Sequence, residues 1–274
     1  SRTSDNDIGV CCVTTGPGAT NAVTAVAGAW IESSPLVVIS GQVKTSDMLG
    51  EKNLRQTGVQ EVQITKVVDP ITKFSKVVGA PEDIREILEE AYEQATNGRK
   101  GPVWIDVPLD VQGAPFVESK SFHSRNMEEV NNNWELDEII TLLLDAQKPL
   151  FFWGNGVKLD KATEDASNLI EMYGLPSVFS WNASDILAYE NKWNFGRPGV
   201  VAQRHANFIV QKSDLIISIG TSLDNILTAY SPENFAPNAK KVIINIDENQ
   251  LFHCSIPNSI LVCTSAKNFI KRFK

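Results

Sequence analysis

Short, nearly uninterrupted apolar runs recur along the chain at residues 8–15, 35–41, 71–78, 102–108, 149–154, 176–181, 214–220 and 241–247. Runs of this length without polar alternation predict strands buried on both faces, as in parallel sheets. Between them the period changes. Over 82–95, Ile84, Ile87, Leu88 and Ala91 recur at helical spacing, and 135–146, 161–173 and 201–211 read the same way. Strands and helices in alternation predict an α/β fold of two doubly wound parallel-sheet domains. The periodicity fails between Gly113 and Trp134, where Pro115, Ser119, Ser121, Ser124 and Asn131-Asn132-Asn133 gather. That composition predicts a linker at 114–133 between domains at 1–113 and 134–274. The first segment opens directly on a strand with no helix before it, so its domain is expected to be truncated at the N-terminal side.

Composition narrows the class. Apolar residues are 42% of the 274 and charged residues 21%, close to the roughly 45–50% and 25% of globular domains, which excludes a disordered chain. The net charge of −8 comes without any basic block, so the field repels nucleic acid and anionic membrane surfaces. The longest apolar stretch, around Pro35 to Ser40, is far shorter than the ~20 residues of a spanning helix. No secretory signal pattern opens the chain. Cys11, Cys12, Cys254 and Cys263 form neither a metal-spaced set nor a disulfide framework, and a reducing, cytoplasmic setting is expected. His123, His205 and His253 are scattered without ligand spacing. No G-x-S-x-G elbow is present. Trp104, Trp153 and Trp181 fall in predicted strands, where core packing is their default role.

The strongest local feature is Val13-Thr14-Thr15-Gly16-Pro17-Gly18-Ala19-Thr20-Asn21, a strand running through a Gly-Pro-Gly turn into an Ala-rich helix. Such a turn bares backbone N–H groups at a helix N-terminus, and the missing Cβ atoms let a ligand approach. A tight structural turn with Thr20 or Asn21 near the cap accounts for it equally well. Neither the G-x-G-x-x-G nor the Walker pattern is matched.

Thr14 to Asn21, taken with Ala29-Trp30-Ile31-Glu32-Ser33-Ser34-Pro35-Leu36-Val37-Val38-Ile39-Ser40-Gly41-Gln42-Val43, resembles the pyrimidine-binding domain of thiamine-diphosphate enzymes of the acetolactate synthase type. The resemblance continues through Val59-Gln60-Glu61, Pro70-Ile71-Thr72-Lys73 and Gly101-Pro102-Val103-Trp104-Ile105-Asp106-Val107-Pro108-Leu109-Asp110-Val111-Gln112. Phe195-Gly196-Arg197-Pro198-Gly199, Arg204, Asn207, Gln211, Asp214-Leu215-Ile216-Ile217-Ser218-Ile219-Gly220-Thr221 and Val242-Ile243-Ile244-Asn245-Ile246-Asp247 resemble the Rossmann-like central domain of the same family. Gly41-Gln42-Val43-Lys44, Arg55-Gln56-Thr57-Gly58-Val59-Gln60-Glu61 and Ser180-Trp181-Asn182-Ala183-Ser184-Asp185 are more similar to its surface-polysaccharide-associated members than to the branched-chain amino-acid enzyme.

The resemblance implies a thiamine-diphosphate-dependent decarboxylase and carboligase acting on a 2-keto acid such as pyruvate. It also implies association into a homodimer or tetramer through the pyrimidine domains. Pro17, Gly18, Asn21 and Gln60 are expected to line the thiamine diphosphate site, with Gln60 turned toward the pocket and Lys73 toward a keto-acid carboxylate. Read without the family, Gln60 is an exposed loop residue and Lys73 a solvated strand-end lysine. The family's activating glutamate lies upstream of the Gly-Pro-Gly turn and its Mg²⁺–diphosphate domain follows the central one, so this chain is expected to be a fragment without activity alone.

Gly199, Arg204, Asn207, Gly220, Thr221 and Asp247 are compatible with a site for FAD or another dinucleotide. Asp247 serves equally as a helix N-cap, and Arg204 with Asn207 as a surface pair. The branched-chain enzyme carries an aromatic residue where Val59 stands and basic flavin-contacting residues at Asp69 and near Ser222 and Ile226, and none of those positions is basic here. Each lost charge-assisted hydrogen bond weakens a diphosphate site by about 1.5–3 kcal/mol. The rival reading is a non-catalytic FAD- or nucleotide-binding or subunit-interaction module built on 199–247.

Overall fold

The computed structural model describes residues 8–115 and 134–274, so most of the expected linker at 114–133 lies outside the described residues. The chain divides into two compact units, Ser1–Asn126 and Met127–Lys274.

The first unit runs β1 (Gly9–Val13), α1 (Pro17–Ile31), β2 (Leu36–Gln42), α2 (Ile64–Val68), β3 (Phe74–Val77), α3 (Ile84–Thr96), β4 (Pro102–Pro108) and α4 (Leu109–Gln112). Its sheet is parallel throughout, in the order β1-β2-β4-β3. All seven residues of β4 are buried, as the nearly uninterrupted apolar run at 102–108 predicts for a strand covered on both faces. Successive side chains alternate between two cores. Val103 and Ile105 pack with Ile87, Ala91 and Ala95 of α3, while Trp104 packs on the other face with Ala19 and Val26 of α1 and Ile64 and Val68 of α2.

The second unit runs α5 (Leu136–Asp145), β5 (Pro149–Trp153), α6 (Asn155–Leu159), α7 (Thr163–Tyr173), β6 (Ser177–Phe179), α8 (Arg204–Lys212), β7 (Leu215–Ile219), β8 (Lys240–Asn245), α9 (Glu248–Phe252), β9 (Ser259–Cys263) and α10 (Ala266–Phe273). These five strands are also parallel, in the order β6-β5-β7-β8-β9. Phe151 and Trp153 face α7 and α10, and Leu150 and Phe152 face α8.

Each predicted apolar run holds a strand, with three adjustments. Pro70 turns 69–71 into a 3-10 turn, so β3 starts only at Phe74. The run at 176–181 ends at Phe179 and leaves Trp181 half exposed on a following turn, whereas Trp104 and Trp153 are wholly buried. The strand β9 and helix α10 were not anticipated: β9 is a half-exposed edge strand, and α10 interleaves Lys267, Lys271 and Arg272 with its buried Phe269, Ile270 and Phe273. Among the described residues no helix is long and apolar enough to cross a membrane.

Phe151 sits at the centre of an aromatic cluster, its ring 5.2 Å from Trp153, 6.3 Å from Tyr173 and 6.4 Å from Phe273. Phe151→Ala is expected to destabilise this unit by about 3–5 kcal/mol. Denaturant unfolding followed by tryptophan fluorescence measures it, and a loss below about 1 kcal/mol would contradict the packing described.

Candidate functional site

Open parallel sheets gather ligands beyond the C-terminal ends of their strands. At that edge of the first unit, β1 ends and the chain turns through Thr14, Thr15 and Gly16 into α1. Gly16 has φ 58° and ψ −115°, and a Cβ there would lie 2.0 Å from the carbonyl oxygen of Gln60. A Cβ on Gly18 would lie 2.5 Å from Cγ2 of Thr14. Pro17 takes the first helical position, where no N–H is needed. The glycines therefore serve close approach inside the protein, to the Gln60 backbone and the Thr14 side chain, and the turn leaves Thr14, Pro17, Thr20 and Asn21 exposed with Gln60 beside them. Gln60 itself is left-handed at φ 61°. Four of the residues singled out in the sequence, Pro17, Gly18, Asn21 and Gln60, are thus brought to one edge.

Beneath them lies a polar network that reasoning from the sequence missed. Ser40 and Gln42 on β2 and Asp106 on β4 are buried. The Ser40 hydroxyl donates to Oδ1 of Asp106 at 2.5 Å, and Nε2 of Gln42 donates to Oδ2 at 2.8 Å. Trp104 Nε1 donates to Ser40 Oγ at 2.8 Å. Gln42 reaches both surface segments: its Nε2 also donates to the Val62 carbonyl at 3.0 Å, and its Oε1 accepts from Thr15 Oγ1 at 3.2 Å. Burial pushes the Asp106 carboxyl above its ordinary pKa, against the hydrogen bonds from Ser40 and Gln42. Polar residues interrupting the apolar runs at 35–41 and 102–108 were the available signal.

On the outer side of the Gln60 segment, Glu61 accepts from the backbone N–H groups of Leu49 at 2.5 Å, Gly58 at 3.1 Å and Thr57 at 3.3 Å. Burial acts to raise its pKa, but those N–H groups and nearby Lys52 hold it below the ordinary glutamate value.

Lys73 is not part of this edge. It precedes β3, and its backbone N–H bonds the carbonyl of Pro102, the first residue of β4. In a parallel sheet that is the end opposite the Gly-Pro-Gly turn. Its ammonium donates to the Asn97 carbonyl at 2.8 Å, and burial lowers its pKa.

In the second unit the strand order reverses between β5 and β7, which makes their C-terminal ends the switch point. Gly154 N–H bonds the Ile219 carbonyl at 2.9 Å and Gly156 N–H the Gly220 carbonyl at 2.8 Å. A Cβ on Gly154 would come within 2.2 Å of that same Gly220 oxygen. Thr221 is buried, its hydroxyl accepting from Leu223 N–H at 3.2 Å. Gly199, at φ 127°, is gripped from both sides by Asn207: its N–H donates to Oδ1 at 2.8 Å and its carbonyl accepts from Nδ2 at 2.9 Å. The Val200 N–H then bonds the Ile226 carbonyl at 2.9 Å, so the Gly199 segment adjoins the loop after Thr221. Asn207 therefore anchors a loop instead of pairing with Arg204, which is exposed with its guanidinium carbon 5.4 Å from the Phe208 ring centroid. Asp247 caps α9, accepting from Asn249 N–H at 3.0 Å and Gln250 N–H at 3.2 Å. Among the described residues no group of three or more His, Cys, Asp or Glu could hold a metal ion.

Two doubly wound parallel units, one with an uncharged strand-to-helix turn and one with a glycine-lined switch point, define a modular α/β protein of the kind that binds cofactors at its strand ends. Residues 136–273 match the model of the thiamine pyrophosphate enzyme central domain, and residues 1–67 that of the thiamine pyrophosphate enzyme N-terminal TPP binding domain. The chain belongs to the thiamine pyrophosphate enzyme family. It is 34% identical over 260 residues to the acetolactate synthase of Mycobacterium leprae, covering 91% of this chain and 40% of that protein. Similarity to the acetolactate synthase large subunit of Haemophilus influenzae is 31% over 276 residues, 98% of this chain and 47% of the other. For the isozyme 1 large subunit of Escherichia coli it is 33% over 250 residues, 90% and 43%. The chain thus spans less than half the length of these curated relatives.

Gly16→Ala is expected to destabilise the first unit by at least about 2 kcal/mol, since it combines a left-handed backbone with a backbone clash. Equilibrium unfolding checks this, and an unchanged midpoint would contradict the contact. Asp106 gives a pH signature. A carboxyl with a raised folded pKa contributes stability that is full below the ordinary aspartate range and is lost as pH rises through the raised value. Asp106→Asn is expected to flatten that slope in unfolding midpoints measured from acid to neutral pH, and an unaltered slope would contradict the assignment.

Proposed function

We propose that this chain supplies the aminopyrimidine-side wall and the central domain of a thiamine-diphosphate-dependent enzyme that decarboxylates pyruvate or a related 2-keto acid and transfers the acyl unit to a carbonyl acceptor. The observation that carries the reading is the Gly-Pro-Gly turn locked against Gln60 at the strand ends of a unit matched by the TPP binding domain model. The names of the acetolactate synthase relatives support the reaction class.

The exposed groups fit one part of the cofactor. No charged residue occurs anywhere in α1, so Pro17, Gly18 and Asn21 offer a neutral surface suited to a heterocycle and unsuited to a diphosphate. Gln60 adds an amide that both donates and accepts. Thiamine diphosphate, when bound, supplies the carbon nucleophile that the reaction needs. This chain's residues would orient its ring and shape the pocket mouth, while Mg²⁺ and the diphosphate would be held outside the described residues. The uncharged outer face of α1, with Thr24, Ala25 and Gly28 exposed, supports a homo-oligomer assembled through these units. The stretches 41–44, 55–61 and 180–185 favour the surface-polysaccharide-associated group, and the non-basic residues at Asp69, Ser222 and Ile226 weaken a flavin site. A second reading, FAD or a nucleotide at the central unit, rests on the switch point between β5 and β7 and on the exposed Arg204 near the Gly199 loop.

The test is the native polypeptide captured from its source with an antibody to this chain, then produced recombinantly and assayed with pyruvate, thiamine diphosphate and Mg²⁺. Acetolactate formation that requires both additions is expected. Asn21→Ala and Gln60→Ala should each lower kcat/KM at least tenfold, about 1.4 kcal/mol. A polypeptide that neither binds thiamine diphosphate nor consumes a 2-keto acid overturns the reading, and a yellow flavin retained through purification without that activity favours the second.

A further inference from the structure

Residues 44–63 connect β2 to α2 with no regular structure beyond a single 3-10 turn at Thr45–Asp47. Loops of this length inside compact domains are uncommon and need a specific source of order. Apolar packing is not that source: from 49 to 61 only Gly58 is buried, and Val59 is 84% exposed. Three polar ties hold the segment. Asp110 accepts from the Thr45 N–H at 2.9 Å and from its hydroxyl. Gln42 holds the Val62 carbonyl from below. Between them the Glu61 carboxylate collects the N–H groups of Leu49, Thr57 and Gly58.

We propose that Glu61 is a positioning residue, whose carboxylate closes the 49–58 loop and so fixes the Gln60 carbonyl against Gly16. The local geometry is reciprocal. Glu61 N–H donates to the Gly58 carbonyl at 3.2 Å while the Glu61 side chain accepts from Gly58 N–H, which bends 58–61 into a turn. Gly58 itself must be glycine, since a Cβ would lie 2.7 Å from Cγ2 of Val43. The turn forces Gln60 to φ 61°, a conformation that non-glycine residues seldom adopt unless their surroundings impose it. Without the carboxylate, three backbone donors lose their acceptor, and the exposed stretch is left with its short internal turns, Lys52 N–H to the Leu49 carbonyl and Leu54 N–H to the Lys52 carbonyl, against the entropy of the free loop.

The consequence for ligand binding rests on the proposed cofactor reading, whereas the positioning itself does not, and the experiment separates them. Glu61→Ala and Glu61→Gln are prepared in the 274-residue chain and compared with wild type by amide hydrogen exchange, backbone NMR shifts and thermal unfolding. Glu61→Ala is expected to speed exchange at Leu49, Thr57 and Gly58 at least tenfold and to move the Gly16 and Gln60 resonances, with unfolding still a single cooperative transition at a midpoint lowered by a few degrees. Glu61→Gln, which keeps one acceptor oxygen and loses the other, should fall between. Exchange within twofold of wild type together with unmoved Gly16 and Gln60 resonances in Glu61→Ala would overturn the proposal. Thiamine diphosphate with Mg²⁺ is then titrated into the native polypeptide, wild type and carrying the same substitutions. Shifts at Gly16 and Asn21 in wild type with an apparent Kd at least fivefold weaker in Glu61→Ala extend the positioning role to the ligand. No shift in wild type counts against the cofactor reading alone, because the exchange comparison has already decided the role of Glu61.

Discussion

A buried carboxylate organises the edge of the first unit where β1 runs into α1. Asp106 stands on the central strand β4, directly across from Ser40 on β2, and binds Ser40 and Gln42 with its two oxygens. Both partners are then used twice. Ser40 takes the Trp104 indole N–H, which satisfies the polar atom of the largest side chain in that core. Gln42 carries its amide outward to Thr15 and Val62. A polar group buried in a sheet this apolar is tolerated only when its hydrogen-bonding capacity is met. Meeting it here brings the β1–α1 turn and the segment before α2 onto one scaffold.

Much of the fold was legible because parallel strands buried on both faces have a distinctive composition. Eight nearly uninterrupted apolar runs correspond to eight of the nine strands among the described residues, and the alternation with helical spacing gave the architecture directly. The remainder was hidden for local reasons. The edge strand β9 is half exposed, and α10 is too short and too rich in lysine and arginine for its four buried residues to stand out. Boundaries moved where proline intervened, as at Pro70.

The site was legible in one dimension only. Glycine spacing and the family resemblance drew attention to Gly16, Pro17, Gly18, Asn21 and Gln60, and the fold gathers these at one edge. Sequence reasoning could not see that Gly16 is glycine because of the Gln60 carbonyl, a contact spanning 44 positions. Nor could it place Lys73, since deciding which end of a parallel sheet a residue occupies requires the start of the strand, and Pro70 shifted that start. In the central unit the residues proposed for a dinucleotide prove to have internal duties: Asn207 secures Gly199, Asp247 caps α9, and Gly220 lies against Gly156. Backbone crowding at a switch point and accessibility to a cofactor draw on the same small residues, so the pattern alone does not separate them.

The three ties on the 44–63 segment divide it into parts with different freedom to change over evolutionary time. Positions 58–62 are fixed from both sides, by Gly58 against Val43 and by Gln42 beneath Val62. The stretch at 50–56 is exposed and outside every tie, so insertions and deletions there disturb neither the turn nor the core. Length and sequence in that short arc are therefore where members of a lineage sharing this scaffold would diversify their outer surface while the edge formed by Gly16 and Gln60 stays the same.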